Sequence, residues 1–301
     1  MTGSQENKDL VNRYFDTIWN RGEFEREPEF VALDCIVHAP PIAGIPAGIE
    51  GPLMIVRTFR AALPDLRLTN VVVIGAGDRI VQRWIVHGTH TGADLFGLPA
   101  GGTQLILTGI NEFRIENGKI AERWGAMDAL GMLQQLRVAP DPMHSPPPDD
   151  ADFTETREAD DYTMSPEELN LGYRSHTEVM HDGLLDVVDE VYAPDAIVYS
   201  RQIPPPMRHG TEGFKSYVQM LRAGVPDMVI VHESVVTEGN YQGIGWSSHG
   251  THSGPLFGIP ATGKTVSIDG YDILAIRDGK IVEAWIEQDM LGLMQQLGLA
   301  P

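Results

Sequence analysis

His87-Gly88-Thr89-His90-Thr91-Gly92 and His249-Gly250-Thr251-His252-Ser253-Gly254 are one phrase written twice in a single chain. The surrounding sequence doubles in the same order. Phe96-Gly97-Leu98-Pro99-Ala100 returns as Phe257-Gly258-Ile259-Pro260-Ala261, and Asn117-Gly118-Lys119-Ile120 as Asp278-Gly279-Lys280-Ile281. Leu130-Gly131-Met132-Leu133-Gln134-Gln135-Leu136 returns as Leu291-Gly292-Leu293-Met294-Gln295-Gln296-Leu297. The offset shortens by one residue near Ala93-Asp94. Solenoid units run to roughly 20–50 residues, and this one is far longer, so it reads as a duplicated domain. Function is then read at paired positions, where the copies agree and where they part.

Each copy carries the same run of elements. Leu10, Val11, Tyr14, Phe15, Ile18 and Trp19 recur at helical spacing and predict a first helix with a broad apolar face. In the second copy Ser165-Pro166-Glu167-Glu168 is a helix start, with Ser as N-cap and Glu closing a capping box. Leu169, Tyr173, His176 and Met180 are expected on one face after it. Second helices over 52–62 and 213–223 stop at Pro64-Asp65 and Pro226-Asp227. Strands over 67–74 and 79–89 flank Gly75-Ala76-Gly77-Asp78, and strands over 104–115 and 120–127 flank the hairpin turn Asn117-Gly118. A short helix over 130–136 closes the copy, which makes an α+β pattern. The organisation is domain 1 over 1–138, a Pro/Asp-rich linker over 139–161, and domain 2 over 162–301. The linker is too polar and too rich in proline to fold alone.

The 301 residues are 42% hydrophobic, with a mean hydropathy of −0.14, as expected of globular domains. A net charge of −20 argues against nucleic acid and anionic membranes as partners. No apolar run is long enough to span a bilayer, and the N-terminus lacks a basic region followed by an apolar stretch. Cys35 is the single cysteine, so an internal disulfide is excluded and a reducing compartment, the cytoplasm, is expected. Its counterpart is Ala196, which reads as a small buried position.

The order of elements, with G-T-H-[TS]-G, F-G-[LI]-P-A, the [ND]-G-K-I hairpin and L-G-x-x-Q-Q-L, resembles the SnoaL-like polyketide cyclases. These belong to the nuclear-transport-factor-2-like superfamily, with ketosteroid isomerase and scytalone dehydratase. The resemblance covers both copies apart from the linker. It implies two cone-shaped domains, each a strongly curved antiparallel sheet closed by helices, with an apolar pocket inside. It also implies chemistry without metal or organic cofactor, in which a buried Asp or His moves protons on a carbonyl compound. Single-domain relatives pair through the outer sheet face, so the two copies are expected to form an internal pseudo-dimer, alone or within a further homodimer. Glu112, Arg114 and Trp124 would then lie opposite the pocket, near that interface.

Alternate strand residues share a face, so Leu107, Gly109 and Asn111 point one way, as do Ile268, Gly270 and Asp272. The resemblance makes this the pocket face. Asp272 lies among isoleucines and leucine, where a carboxyl can serve as base or acid. On the next strand the resemblance leads one to expect Glu-His-Trp with Asp or Gly two residues after the His. The chain instead reads Glu122-Arg123-Trp124-Gly125 and Glu283-Ala284-Trp285-Ile286. Neither copy keeps the full acid/base set. His38, matched by Tyr199, is a third inward candidate, its imidazole able to act as base near neutral pH. Arg123 beside Asn111 suits an anionic or enolate oxygen. Should Arg123 not point inward, Glu112 or Glu122 would be its surface partner.

The catalytic candidates are therefore Asp272, His38 and Arg123, and the substrate-binding candidates Tyr14, Asn111, Tyr199 and His176. No metal is expected, because the members of each HxxH pair on a strand face opposite sides and no third ligand recurs. Trp84, Trp246, Trp124 and Trp285 read as core or sheet aromatics. The expected activity is cofactor-free acid/base chemistry of specialised metabolism on a hydrophobic polyketide-like or terpenoid carbonyl compound. Cyclisation, isomerisation and elimination through an enolate all fit. Cofactor-independent oxygenation and non-catalytic binding of a small molecule stand as alternatives. The copies look specialised, with the second the better proton-transfer site.

Overall fold

A computed structural model of the chain describes residues 2–38, 44–139 and 156–300. It divides into two compact units. The first holds residues up to 139 together with 156–158, and the second runs from 159 onward. Much of the segment expected as linker lies outside the described residues. Of its described end, residues 156–158 join the first unit, where the Arg157 backbone N–H donates to Val71, and residues 159–161 join the second.

In domain 1, helix α1 (Thr2–Tyr14) runs into a π-helical turn, Phe15–Asn20. A short α2 (Glu27–Phe30), strand β1 (Val31–His38) and helix α3 (Glu50–Ala62) follow. Strands β2 (Arg67–Ala76), β3 (Arg79–His90), β4 (Thr103–Glu116) and β5 (Lys119–Met127) and helix α4 (Ala129–Gln135) complete it. Domain 2 repeats the plan. It opens with α5 (Pro166–Leu169), α6 (Leu171–Arg174) and a π-helical segment, Ser175–His181. Next come α7 (Asp186–Val191), β6 (Tyr192–Tyr199) and α8 (Gly210–Gly224). Strands β7 (Val229–Glu238), β8 (Tyr241–Thr251), β9 (Thr265–Arg277) and β10 (Lys280–Gln288) lead to α9 (Met290–Leu297).

Each domain is α+β, with one five-stranded sheet ordered β1-β5-β4-β3-β2 or β6-β10-β9-β8-β7. The expected antiparallel sheet is present in each domain as a four-stranded meander, joined by one further strand. β1 pairs parallel to β5 and β6 parallel to β10, so the sheets are mixed and stay open at both edges. The edge strand enters from the helical end of each domain and lies beside the last strand of the meander.

The repeated motifs set the turns. Thr89 and Thr251 bind Asp65 and Asp227 through both backbone N–H and hydroxyl, which ties the end of β3 or β8 to the Pro-Asp helix stop. In the F-G-[LI]-P loop, Phe96 and Gly97 take φ of 50° and 81°, and Leu95 and Leu98 exchange backbone hydrogen bonds. Two successive positive φ values make the tight hairpin that glycine permits. Gln135 and Gln296 each bond both backbone groups of the facing strand, at Ile106 and Ser267, and fix the closing helix.

Helix α1 and its π turn bury Leu10, Val11, Tyr14, Phe15, Ile18 and Trp19, as their spacing predicts. In domain 2 the capping box forms at Ser165 and Glu168. The single apolar face expected after it does not. Leu169 and Tyr173 are exposed, while Leu171, His176 and Val179 are buried. The helix breaks at Asn170 and widens to a π-helix at Ser175, and each event shifts the side-chain phase.

Candidate active site

The pocket of domain 2 lies between sheet and helices, with about 800 Å³ of atom-free space, mouth included. Its walls are mostly apolar, among them Phe214, Leu221, Leu256, Ile268, Ile286 and Leu293. The polar groups lining it include His176, Tyr192, Tyr217, Asp272 and Gln288. Asp272 is only 4% exposed. β9 sets it level with Ile244 of β8 and Ile286 of β10, so its sheet neighbours are apolar.

Two donors hold that carboxylate. The Trp246 Nε1–H donates to Oδ1 at 2.9 Å, and His176 Nε2 lies 2.9 Å from Oδ2. Trp246 reaches Asp272 because Gly270 has no side chain: a Cβ there would come within 2.2 Å of the indole. His176 is placed by the π-helical segment, and π turns recur at functional sites because they re-aim one side chain without ending the helix. Its other nitrogen, Nδ1, lies 2.7 Å from Nε2 of His232, the two rings nearly perpendicular at 79°.

His232 sits on edge strand β7, next to a register shift between His232 and Ser234. It is half-buried, against the exposed Tyr173. Burial first, then neighbouring His176, pushes its pKa down to about 4, with Asp272 pulling the other way. His232 is thus neutral at neutral pH. Burial pushes Tyr217 up to about 12 and Tyr192 well above the ordinary phenol value, and the Asp272 charge adds to both. Both stay protonated donors. The Tyr192 hydroxyl lies 2.7 Å from Ser175 Oγ, and Gln288 Nε2 donates to Tyr217 at 3.4 Å. A buried carboxylate on an apolar-walled pocket, held at both oxygens and with neutral phenols on the same wall, is equipped to take and return a proton.

At the paired positions of domain 1, Asn111 stands for Asp272, Asn70 for His232 and Phe15 for His176. The polar groups there join into a chain of amides. Arg123 Nη2 donates to Asn111 Oδ1 (3.1 Å), Asn111 to Gln82 Oε1 (2.9 Å), Gln82 to Asn70 Oδ1 (2.5 Å) and Asn70 to Asn12 Oδ1 (2.7 Å). Arg123 therefore points inward and is buried, as expected of an inward group. The surface pairing with Glu112 or Glu122 does not occur. Glu112 pairs with Arg79, and Glu122 with Arg114 and His38. An inward carboxyl does exist in this domain: Glu27, fully buried, accepts from the Tyr14 hydroxyl at 3.3 Å. Burial raises its pKa to about 7, against the lowering effects of Tyr14 and the nearby Arg123 charge.

Two expected inward residues lie elsewhere. His38 is level with Trp124 of β5, stacked on it at 5.1 Å and bonded to Glu122 at 2.9 Å, with its side chain 45% exposed. Tyr199 repeats this arrangement on Trp285 and Glu283. Strand alternation is the reason. Val37 and Val198 are level with Arg123 and Ala284, so the next residue faces away. Glu112, Arg114 and Trp124 lie on this same face, away from Asn111 and Arg123, and Arg79 covers Trp124 there. Cys35 is buried, its thiol pushed up to about 11 by burial. Among the described residues no cluster of three or more His, Cys, Asp or Glu could hold a metal ion. Of the HxxH pairs, His90 bonds Ala93 and His252 bonds Thr262, each within the loop that follows its strand. No helix described is long and apolar enough to cross a membrane.

The SnoaL-like polyketide cyclase family model matches residues 9–136 and again 170–297. The chain belongs to the SnoaL-like polyketide cyclase family. Comparison with curated proteins finds no match. Among solved structures the chain is similar to TsrD from Streptomyces laurentii, at 26% identity over 46% of this chain and 99% of that one, with a TM-score of 0.42. It is also similar to IdmH from Streptomyces antibioticus (28% identity, 44% and 98% covered, TM-score 0.38). A SnoaL-like polyketide cyclase from Agrobacterium tumefaciens matches at 16% identity (44% and 98% covered, TM-score 0.37).

Within this SnoaL-like fold, the residues that sequence reasoning missed are His232, Trp246 as a donor, Tyr192, Tyr217, Gln288 and Glu27. A signal for His232 existed. The repeat pairs it with Asn70, and that position changes together with Phe15/His176 and Asn111/Asp272.

Proposed function

We propose that this protein is a cofactor-free enzyme whose chemistry lies in domain 2, with Asp272 as the proton-transfer group. The Asp272 carboxylate, held by Trp246 and His176 at the wall of an apolar pocket, carries this reading. The substrate is a hydrophobic carbonyl compound of polyketide-like or terpenoid character. Asp272 takes a hydrogen from the carbon next to the carbonyl. The C–H bond breaks, an O–H bond forms on Asp272, and the electron pair moves to the carbonyl oxygen as an enolate. The Tyr217 hydroxyl, a neutral donor on the pocket wall, suits that oxygen. The enolate then closes on a second carbonyl, expels a leaving group or takes its proton back at another carbon. At the sheet position of Asp272 domain 1 carries Asn111, an amide that cannot serve as a base. The lone, buried Cys35 supports the cytoplasm as the place of action.

The test uses 2-tetralone, a neutral bicyclic ketone, with exchange of its activated hydrogens followed by NMR in D2O. The wild-type protein should accelerate exchange, and Asp272→Asn, which keeps the shape, should lower the rate by about 10²–10⁴. Binding of the ketone with exchange left at the buffer rate would instead identify a binding protein. Exchange untouched in Asp272→Asn would move the base elsewhere.

A further inference from the structure

Asp272 and His176 are buried and paired, which leaves open how a proton passes between them and water. The contact of 2.7 Å between His176 Nδ1 and His232 Nε2 must hold one hydrogen, because two bare nitrogens or two N–H groups would repel. With both rings neutral and Asp272 ionised, His176 Nε2 donates to the carboxylate, which makes His176 Nδ1 the acceptor and His232 Nε2 the donor. His232 is the half-buried member of the three, on an edge strand beneath exposed Tyr173. The line therefore runs from the pocket to the rim of the sheet without a gap.

We propose that His232 is a positioning residue that fixes His176 against Asp272 and connects the pair to solvent, the three side chains forming a proton path. The proposal rests on Asp272 being the base of the reaction described above. A proton from water binds His232 Nδ1. The Nε2 proton of His232 passes to His176 Nδ1, and the Nε2 proton of His176 passes to Asp272 Oδ2. One proton is gained, the carboxylate becomes the carboxylic acid, and both rings end neutral with hydrogen on the opposite nitrogen. The reverse sequence restores the carboxylate. The path resets Asp272 between turnovers. Domain 1 has no such line. Asn70 and Asn111 stand at these positions, and an amide can hold a hydrogen bond but cannot carry a proton through.

The test is exchange of 2-tetralone in D2O with His232→Ala and His232→Asn, each at several concentrations of imidazole buffer. His232→Asn installs the residue that domain 1 carries at this place and guards against a folding defect. Both variants should exchange about 10- to 100-fold more slowly than wild type at low buffer. The His232→Ala rate should rise in proportion to added imidazole, which substitutes for the missing ring, while the wild-type rate should not. A merely structural role would not make the rate depend on buffer. Asp272→Asn, run in parallel, separates the two claims. If it is inactive and the His232 variants match wild type without buffer dependence, the path is overturned and the base stands. If Asp272→Asn exchanges like wild type, or wild type stays at the buffer rate, the base is overturned and the path with it.

Discussion

The two domains share a scaffold and differ in what they bury at its centre. In domain 2, a carboxylate, two imidazoles and an indole N–H form a connected set that reaches from the pocket wall to the edge of the sheet. In domain 1, the same sheet positions hold amides that satisfy one another, and Phe15 packs where His176 would stand. Amides and imidazoles both donate and accept, so either set meets the requirement that buried polar groups be bonded. Only the second set can change its charge. Polar burial alone is thus a poor marker of a reactive site, and ionisable burial beside an open apolar pocket is a better one.

The largest expected effect tests whether that difference matters. Asp272→Asn makes domain 2 read like domain 1 at this position and should cost about 10²–10⁴ in rate. Asn111→Asp in domain 1 should not restore it, since the new carboxylate would meet Arg123 in place of a histidine. A double variant that regains activity would show the domains to be interchangeable. The next effect concerns stability. His176→Phe installs the residue of domain 1 and leaves Asp272 buried with Trp246 as its remaining described partner. Leaving a buried charged acceptor short of a hydrogen bond costs about 1–3 kcal/mol or more, so urea unfolding of domain 2 should shift by that order. An unchanged midpoint would show that Asp272 relaxes or protonates at little cost.

The parts of this comparison that sequence made legible are those fixed by local chemistry. The Asn117-Gly118 turn has φ of 52° and 71°, as its hairpin needs, and Ser165 caps its helix. Asp272 was legible because period-two alternation groups it with Ile268 and Gly270 and the family resemblance turns that face to the pocket. His38 was misread because its facing depends on β1 lying parallel to β5, a pairing between distant segments that alternation within β1 cannot reveal. His232 was hidden by the neighbouring bulge, which interrupts the register of β7 with β8. Glu27 stands in Glu23-Phe24-Glu25-Arg26-Glu27-Pro28-Glu29, a run that reads as solvated surface. The Arg26 guanidinium does pair with Glu23 and Glu29 there, and of the glutamates in the run only Glu27 is buried.

Glu27 gives domain 1 a pH response of its own. Its pKa rises on folding from 4.5 to about 7, chiefly through burial, so the folded state holds this proton more tightly. The stabilisation is complete below the unfolded value and is lost as pH rises toward 7. A shift of that size amounts to on the order of 3 kcal/mol. Glu27→Gln, which stays neutral, should flatten this part of the stability profile. The urea midpoints of wild type and variant, compared from pH 4.5 to 7.5, should diverge in the variant's favour as pH rises. Parallel profiles would mean that Arg123 keeps Glu27 ionised throughout.

The smallest effect is expected at the position sequence ranked among the catalytic candidates. His38 lies on the face away from Arg123, paired with Glu122 and stacked on Trp124, with its side chain 45% exposed. Glu122 keeps a second partner in Arg114, so losing the imidazole leaves no buried charge alone. An exposed pair of this kind contributes about 0–1 kcal/mol, and solvent screens it further in salt. His38→Ala should therefore leave ketone exchange unchanged and shift the urea midpoint of domain 1 only slightly, less still at high ionic strength. Tyr199→Phe, its counterpart on Glu283, should be equally silent in exchange. A rate that falls with either variant would place a reacting group on the face away from the pocket. It would break the assignment of the chemistry to Asp272 more directly than any change within the pocket itself.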